Sequence, residues 1–343
     1  MPALTCFCFE ENRVYAYDDA CATVVTLEHN LNCGIRGEVL LSLCQSSPGK
    51  FDIVQEGESC ILVDTESNST FKLPFIGPEQ FVFDWPVELQ SIRFKVGREF
   101  FEMLEVVVNN LLADSYQPQL AGVTLEIYRN KVIAYGYDFA SLIRFDLEID
   151  SFWTTLSDDE PVRTIIMSKP AAERARKVFS AMDNPDLRVE CKISSGWIWF
   201  DFEDKKVMSV SKLVVAEPAS FSEDLEGFPL QTKKFAVPPG MKNALDRCLI
   251  LMGEHINSPI TMYTGEEGIK IVCNAPHGHA DMILGGPALP TMKLRFRPKI
   301  LHRHIGACKK MGFTTDKKAR AVQFFNDTMT YVVGTVVTDQ QRG

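Results

Sequence analysis

One pattern occurs twice in this 343-residue chain, and it limits the possible folds more than any other feature. Residues 15–25 read Tyr-Ala-Tyr-Asp-Asp-Ala-Cys-Ala-Thr-Val-Val, and residues 135–145 read Tyr-Gly-Tyr-Asp-Phe-Ala-Ser-Leu-Ile-Arg-Phe. Tyr15, Tyr17, Asp18 and Ala20 match Tyr135, Tyr137, Asp138 and Ala140. Each copy follows a basic-Val start, Arg13-Val14 or Lys131-Val132, and runs into an alternating strand. Asp18 and Asp138 resemble a catalytic pair. Their recurrence at equivalent places argues instead for turn caps, because an Asp side chain readily accepts from nearby backbone donors.

The context of the two copies also repeats. A helix over Ile35–Cys44, with Val39, Leu40 and Leu43 apolar, leads to the turn Ser47-Pro48-Gly49 and strands at Phe51–Gln55, Cys60–Asp64 and Thr70–Leu73. A helix over Lys169–Met182 has Ala171, Ala172, Ala175, Val178, Phe179 and Met182 at a 3.6-residue period. It leads to Asn184-Pro185-Asp186 and strands at Leu187–Ile193, Trp197–Phe202 and Val207–Leu213. An earlier helix over 97–112 lines up Phe100, Phe101, Leu104, Val107, Val108, Leu111 and Leu112, with Arg98, Glu102, Glu105 and Asn109 opposite.

A third unit opens at Pro238-Pro239 with a helix to Gly253, its inner side Met241, Ala244, Leu245, Cys248 and Met252. Strands at 259–264 and 268–273 follow. A second helix over 298–311 carries Lys299, Arg303 and Lys310 outward, and alternating stretches at Ala321–Phe325 and Thr330–Thr338 close the chain. The expectation is an α+β protein of three repeated units, 1–91, 92–228 and 229–343, the first with one recognisable helix.

The net charge of −9 alone argues against nucleic acid, but its distribution matters more. Residues 1–93 hold 14 acids and 5 Lys/Arg, which accounts for the whole excess. Residues 293–320 hold ten Lys/Arg against Asp316 alone. The ten cysteines form no CxxC pair, and no secretory signal is evident, which reads as free buried thiols in a reducing cytoplasm. In Cys6-x-Cys8 the two thiols share one strand face, with Phe7 and Phe9 on the other. No run approaches the roughly 18 apolar residues of a membrane span.

These residues together resemble the DNA polymerase sliding clamp of the bacterial and phage beta-subunit type. Tyr137-Asp138-Phe139-Ala140-Ser141-Leu142 stands where that family has Thr-Asp-Gly-His-Arg-Leu, and Leu120-Ala121-Gly122 resembles its Leu-Asn-Gly turn. Ser69-Thr70-Phe71-Lys72-Leu73-Pro74 resembles the end of its first domain. Ser211-Lys212-Leu213-Val214 resembles the end of its second, and Tyr331-Val332-Val333 its C-terminal strand. The likeness covers nearly the whole chain. Two departures stand out: Phe139-Ala140-Ser141 replaces Gly-His-Arg, and the family's first strand and first helix have no counterpart. The start is therefore truncated or the first domain reduced, and divergence of this order looks phage-like.

The resemblance implies a ring-shaped homodimer, sheets outside and helices inside, that encircles duplex DNA without reading sequence. It implies no cofactor, no metal, no catalysis and no membrane. The DNA-facing candidates are Lys169, Arg174, Arg176, Lys177, Lys242, Arg247, Lys299, Arg303, Lys309 and Lys310, which could equally be solvated helix faces. Glu102 and Glu105 fit such a surface poorly. The family's pocket for peptide motifs of the polymerase and clamp loader carries over to Leu120, Tyr137, Ala140, Ser141, Leu142, Val332 and Gly334. Of these, Leu120, Leu142 and Val332 could equally be core residues.

Two other readings stay open. One is a clamp-derived module that binds the same peptides without encircling DNA. The other is an unrelated metal enzyme using His277 and His279, though a Gly/Pro-flanked surface loop accounts better for that pair. His302 and His304 are expected to face solvent or DNA.

Overall fold

A computed structural model describes residues 2–47, 50–83, 85, 92–111, 117–156, 161–194, 196–202, 206–226, 228–230, 232–315 and 320–336. Pro48 and Gly49 of the first expected turn, Leu112, Asp316, Lys317 and Lys318 of the basic strip, and Val337-Thr338 lie outside the described residues. In chain order the first elements are β1 (Cys6–Glu10), β2 (Arg13–Tyr17), β3 (Cys21–Thr26), β4 (Cys33–Arg36), α1 (Gly37–Ser46), β5 (Phe51–Glu56), β6 (Ser59–Asp64) and β7 (Thr70–Ile76). Next come β8 (Ile92–Val96), α2 (Arg98–Val108), β9 (Gly122–Ile127), β10 (Lys131–Tyr137), β11 (Ser141–Glu148), β12 (Asp150–Thr154), β13 (Arg163–Ser168), α3 (Lys169–Ala181), β14 (Val189–Ser194), β15 (Trp197–Phe202), β16 (Val207–Lys212) and α4 (Phe221–Glu226). The last are β17 (Phe235–Ala236), α5 (Met241–Met252), β18 (Ile260–Gly265), β19 (Gly268–Ala275), β20 (Gly278–Ile283), β21 (Met292–Phe296), α6 (Pro298–Ile305), β22 (Lys310–Thr315), β23 (Arg320–Phe325) and β24 (Met329–Gly334).

The contacts divide the chain into two compact units, Met1–Phe101 with Ile149–Asp158 and Glu173–Leu213, and Glu102–Glu148 with Asp159–Ala172 and Val214–Gly343. The first unit carries one sheet of twelve strands, ordered β12-β8-β14-β15-β16-β3-β2-β1-β4-β7-β6-β5. Strand β1 serves two cores because its side chains alternate. Cys6 and Cys8 pack with Tyr15, Tyr17, Ala22 and Val24, while Phe9 packs with Cys33, Ile35, Leu40, Cys60 and Leu62. Phe101 and Phe179 stack at 4.2 Å between ring centres, fixing the two helical segments of this unit to one another.

The second unit has an eight-stranded sheet, β13-β9-β10-β11-β24-β23-β22-β17, and a four-stranded one, β20-β19-β18-β21. Strand β9 is buried along its length, as a central strand covered on both faces must be. The buried side of α5 is Met241, Ala244, Leu245, Cys248 and Met252, as its periodicity predicts. No described helix is long and apolar enough to cross a membrane.

Several boundaries differ from the sequence reading. Ile35 belongs to β4 and is fully buried there, and α1 starts at Gly37; Val39 is 38% exposed, leaving Leu40 as the buried contact of α1. Helix α5 begins at Met241, after Gly240 turns the chain at φ +83°, so the Pro238-Pro239 pair precedes the helix. Helix α6 ends at Ile305, and Lys310 opens strand β22 instead of closing a helix. All ten cysteines are free, but Cys44 is exposed and Cys308 half-buried, so burial holds for eight.

Gly136 in β10 shows why the pattern Tyr-Gly-Tyr needs its glycine. A Cβ there would stand 2.7 Å from the carbonyl oxygen of Val107 at the end of α2. Backbone cannot yield as a flexible side chain can. Gly136→Ala is therefore expected to cost about 1–3 kcal/mol, read as a lowered thermal midpoint with unchanged secondary-structure content.

Candidate functional site

The two repeated Asp residues do the same work at two turns. Asp18 Oδ1 accepts from the amides of Ala20 (2.8 Å) and Cys21 (2.7 Å), closing the turn between β2 and β3. Asp138 Oδ1 accepts from the Ala140 amide (3.3 Å) and lies 3.0 Å from Ser141 Oγ. In both, the second carboxylate oxygen meets an arginine from a helix at 2.6 Å, Arg174 on α3 and Arg303 on α6. The turns also share a backbone role: Ala20 O accepts from Lys212 N (2.7 Å), and Ala140 O from Gly334 N (2.9 Å).

The two ion pairs differ in burial. The Asp18 and Arg174 side chains are 49% and 29% exposed, those of Asp138 and Arg303 only 10% and 22%. Around the second pair a polar network closes. Arg303 Nη1 also donates to Asn110 Oδ1 (2.8 Å), Asn110 Nδ2 donates to Gly136 O (2.9 Å), and Ser141 Oγ lies 3.0 Å from Asn110 Oδ1. Burial alone would raise the Asp18 carboxyl, but the Arg174 guanidinium and the two turn amides outweigh it and hold its pKa below the usual range.

The seven candidate pocket residues come together on one patch. Tyr137 pairs with Leu142 across β10 and β11, Leu142 pairs with Val332 across β11 and β24, and Ala140 bonds Gly334. Directly opposed residues share a face, so Tyr137, Leu142 and Val332 point the same way. Leu120 and Tyr137 pack with Leu142 in one cluster that also holds Ile133, Tyr135 and Phe221. Ser141 turns into the polar network instead of the apolar face. At the turn, Phe139 stands in the left-handed region at φ +43°, is 64% exposed, and meets Tyr137 edge-on at 5.7 Å. A phenylalanine in that conformation is strained by about 1 kcal/mol or more. Burial raises the Tyr137 phenol, with the charges of Asp224 and Asp138 acting the same way.

The basic candidates scatter more widely. Lys177 on α3, Lys242 and Arg247 on α5, and Lys299 on α6 are exposed; Lys169 and Arg176 on α3 are half-buried. Arg174 and Arg303 are committed to their carboxylates. Lys309 lies past α6, bonded to Asp327 at 2.6 Å, and Lys310 is in β22, so neither extends a helix face. His302 Nε2 lies 2.8 Å from Asp246 Oδ1, and His304 is only 7% exposed, packed edge-on against Tyr331 at 4.8 Å. Neither histidine is thus a solvent-facing group of a basic helix. His279, in the β19–β20 hairpin, engages Asn274 Oδ1 at 2.6 Å.

No family model and no curated protein matches the sequence. Solved structures do match. A putative DNA polymerase III beta subunit from Eubacterium rectale superposes with a TM-score of 0.86 at 14% identity, over 98% of this chain and 93% of that one. The DNA polymerase sliding clamp of Pseudomonas aeruginosa gives 0.81 at 17% over 98% and 93%. The beta subunit of Thermotoga maritima gives 0.81 at 15% over 98% and 92%. The fold is that of the bacterial beta-type sliding clamp.

Within this clamp fold, three features around the candidate site escape the sequence reading. Helix α4 with Phe221 is too short for periodicity to reveal, although Ser220-Phe221-Ser222-Glu223 carries the Ser-x-x-Glu helix-start signature. Asn110 is fully buried next to the outward Asn109, and nothing in the one-dimensional pattern separates the two. The Asp138–Arg303 pairing spans 165 residues and leaves no local trace.

Two predictions follow from the burial of these groups. Arg303→Ala strands Asp138 in a nearly closed site and should cost about 3 kcal/mol or more, whereas Arg174→Ala at the more solvated turn should cost about 1 kcal/mol or less; chemical denaturation of both variants compares them. His304 is held neutral by burial first and the Arg303 charge second, its pKa pushed down to about 4 from 6.5. The unfolded chain takes up that proton below pH 6.5 and the folded one does not, so this contribution is complete above pH 6.5 and is lost as pH falls toward 4. Thermal midpoints across that window should fall less steeply in His304→Leu than in the parent, relative to each protein's value at neutral pH.

Proposed function

We propose that this protein is a DNA sliding clamp, a non-enzymatic processivity factor that closes as a ring of two head-to-tail copies around duplex DNA. In this reading it tethers a replicative polymerase, a clamp loader and other proteins through short peptide motifs. The observation that carries the reading is the sliding-clamp fold over 98% of the chain, joined to a repeated rule of strand pairing. The strand after each Asp-x-Ala turn takes the last strand of the next repeat: β3 takes β16, and β11 takes β24. The segments 1–91, 92–228 and 229–343 are the repeats in this scheme.

The same rule applied once more leaves β20 waiting for a β7. Strand β20 ends its sheet with β19 as its partner, and Ile283 on it is 65% exposed beside a cavity of about 240 Å³ lined by Tyr263, Glu266, Glu267 and Lys270. Strand β7 pairs with β6 along Thr70–Pro74 and meets β4 only at Phe75 and Ile76, leaving one edge of its first half for another strand. A second copy could satisfy both edges, and two such head-to-tail contacts related by a two-fold axis close a ring.

The DNA-facing residues in this reading are chiefly the exposed Lys177, Lys242, Arg247 and Lys299, with Lys169 and Arg176 behind them. Cations on helices suit a ring that must hold phosphates without fixing register. Arg174 and Arg303 serve the turns, and Lys309 and Lys310 are the weakest of the set. The partner pocket is the face of Tyr137, Leu142 and Val332 with Leu120 at its side, where an apolar floor suits the anchor residues of a peptide.

One observation favours a second reading, the peptide-binding module that does not encircle DNA. Strands β14 and β22 each receive a strand from ahead of a helix, β8 and β17, whereas β5 ends its sheet with β6 as neighbour. Loading decides between the two. The ring requires a dimer that a clamp loader places on nicked circular DNA and that is lost when the circle is cut. Ile283→Arg should convert it to a monomer, and Lys242→Glu with Arg247→Glu should weaken retention. A wild-type monomer that binds polymerase C-terminal peptides yet never loads would sink the ring.

A further inference from the structure

Among the side chains clustered with Tyr137 and Leu142, Phe221 comes from no strand. We propose that α4 is a built-in occupant of the partner pocket: Phe221 takes the place of a partner's apolar anchor residue, and a partner binds by displacing this strap. The inference rests on the peptide-pocket reading above.

Phe221 is 2% exposed, and its ring lies 5.6 Å from that of Tyr135 and 5.9 Å from that of Tyr137, tilted by 31° and 32°. Leu142 is buried in the same cluster, with Leu120, Ala219 and Leu225 packed against it. The pocket floor is thus covered by a ring of the chain's own. That ring holds α4, with Leu225 and the preceding Ala219 packed beside it. Ser222 and Leu225 are half-buried, and Glu223 and Asp224 face solvent. A helix of six residues does not persist in water by itself, so its form depends on Phe221 being docked.

The strap is tied at both ends and weakly in between. At one end Val214 N donates to Ile166 O (2.9 Å); at the other Phe228 O accepts from Thr314 Oγ1 (3.2 Å) and from the Gln323 side-chain amide. The backbone bonds described between these ties are local: Ala216 to Val214, Phe221 to Ala219, Asp224 to Ser220 and Phe228 to Leu225. Lifting Phe221 would therefore break no sheet ladder. Val215 beside the first tie is 96% exposed, so the chain leaves the sheet there and crosses solvent before α4. At the other side of Tyr137 the exposed Phe139 offers an incoming peptide a first apolar foothold outside the covered floor.

A site that is closed most of the time binds its ligand more weakly by the fraction of time it is open. Removing the plug should then tighten binding, whereas removing a wall should loosen it. The test is fluorescence anisotropy of a fluorescein-labelled C-terminal peptide of a bacterial replicative polymerase on the full chain. It compares the parent with Phe221→Ala, Leu225→Ser and Tyr137→Ala, and adds amide hydrogen exchange over 219–225. Phe221→Ala is expected to bind about tenfold tighter. Leu225→Ser should shift the same way by less, Tyr137→Ala should bind more weakly, and peptide should speed exchange over 219–225 in the parent. If Phe221→Ala loosens binding as Tyr137→Ala does, or leaves it unchanged, or if peptide slows exchange in the strap, Phe221 is a wall and the inference is overturned. If neither the parent nor any variant binds, the pocket reading itself falls and takes this one with it. Should Phe221→Ala fail to fold by circular dichroism, Leu225→Ser and the exchange measurement decide the question.

Discussion

The structure depends on one kind of contact above all, the backbone ladder by which the strand after an Asp-x-Ala turn takes a strand from much later in the chain. The pairs β3·β16 and β11·β24 each join residues far apart in sequence. Each satisfies a row of amides and carbonyls that would otherwise lie at a bare sheet edge. These ladders merge strands of 1–91 and 92–228 into one twelve-stranded sheet, and strands of 92–228 and 229–343 into one of eight. The strands of 92–228 are consequently divided between the two compact units, although Ile133, Tyr135, Leu142 and Phe221 still cluster within that segment.

At the turn before each of those ladders stands an Asp. Its Oδ1 closes the turn, its Oδ2 binds a helix arginine, and the alanine two residues on receives the incoming strand. An apolar group in place of either Asp would lose both the turn bond and the arginine pair. The network around Asp138, with Asn110 and Arg303, is the more deeply buried of the two and lies next to the candidate pocket.

Much of this could be read from the amino acids, and the rest could not for definable reasons. Short apolar and aromatic strand runs, such as Cys6–Glu10 and Trp197–Phe202, and helices with long apolar stripes, such as α2 and α3, announce themselves locally. The turn at Tyr137–Ser141 is equally legible, because it repeats the motif at Tyr17–Cys21. Helix ends were harder: α6 stops at Ile305 although basic residues continue, since charge on a strand and on a helix look alike in sequence. His304 reads as one more cation of a basic stretch, yet it is buried, because only the helix phase and the position of Tyr331 place it inside. Phe221 was invisible because its role depends on what a six-residue helix rests upon, and no period is that short.

The β11·β24 ladder also sets a clock for synthesis. Phe145 leaves the ribosome roughly 180 residues before its partner Met329. At about 5–20 residues per second that is about 10–40 s. Throughout that interval the edge of β11, from Ser141 to Phe145, has no strand to take, and the eight-stranded sheet cannot close. The eight-stranded sheet of the second unit therefore completes only once β24 has been made. A nascent chain halted before β24 presents an open apolar edge to its neighbours, a hazard that co-translational chaperones exist to cover.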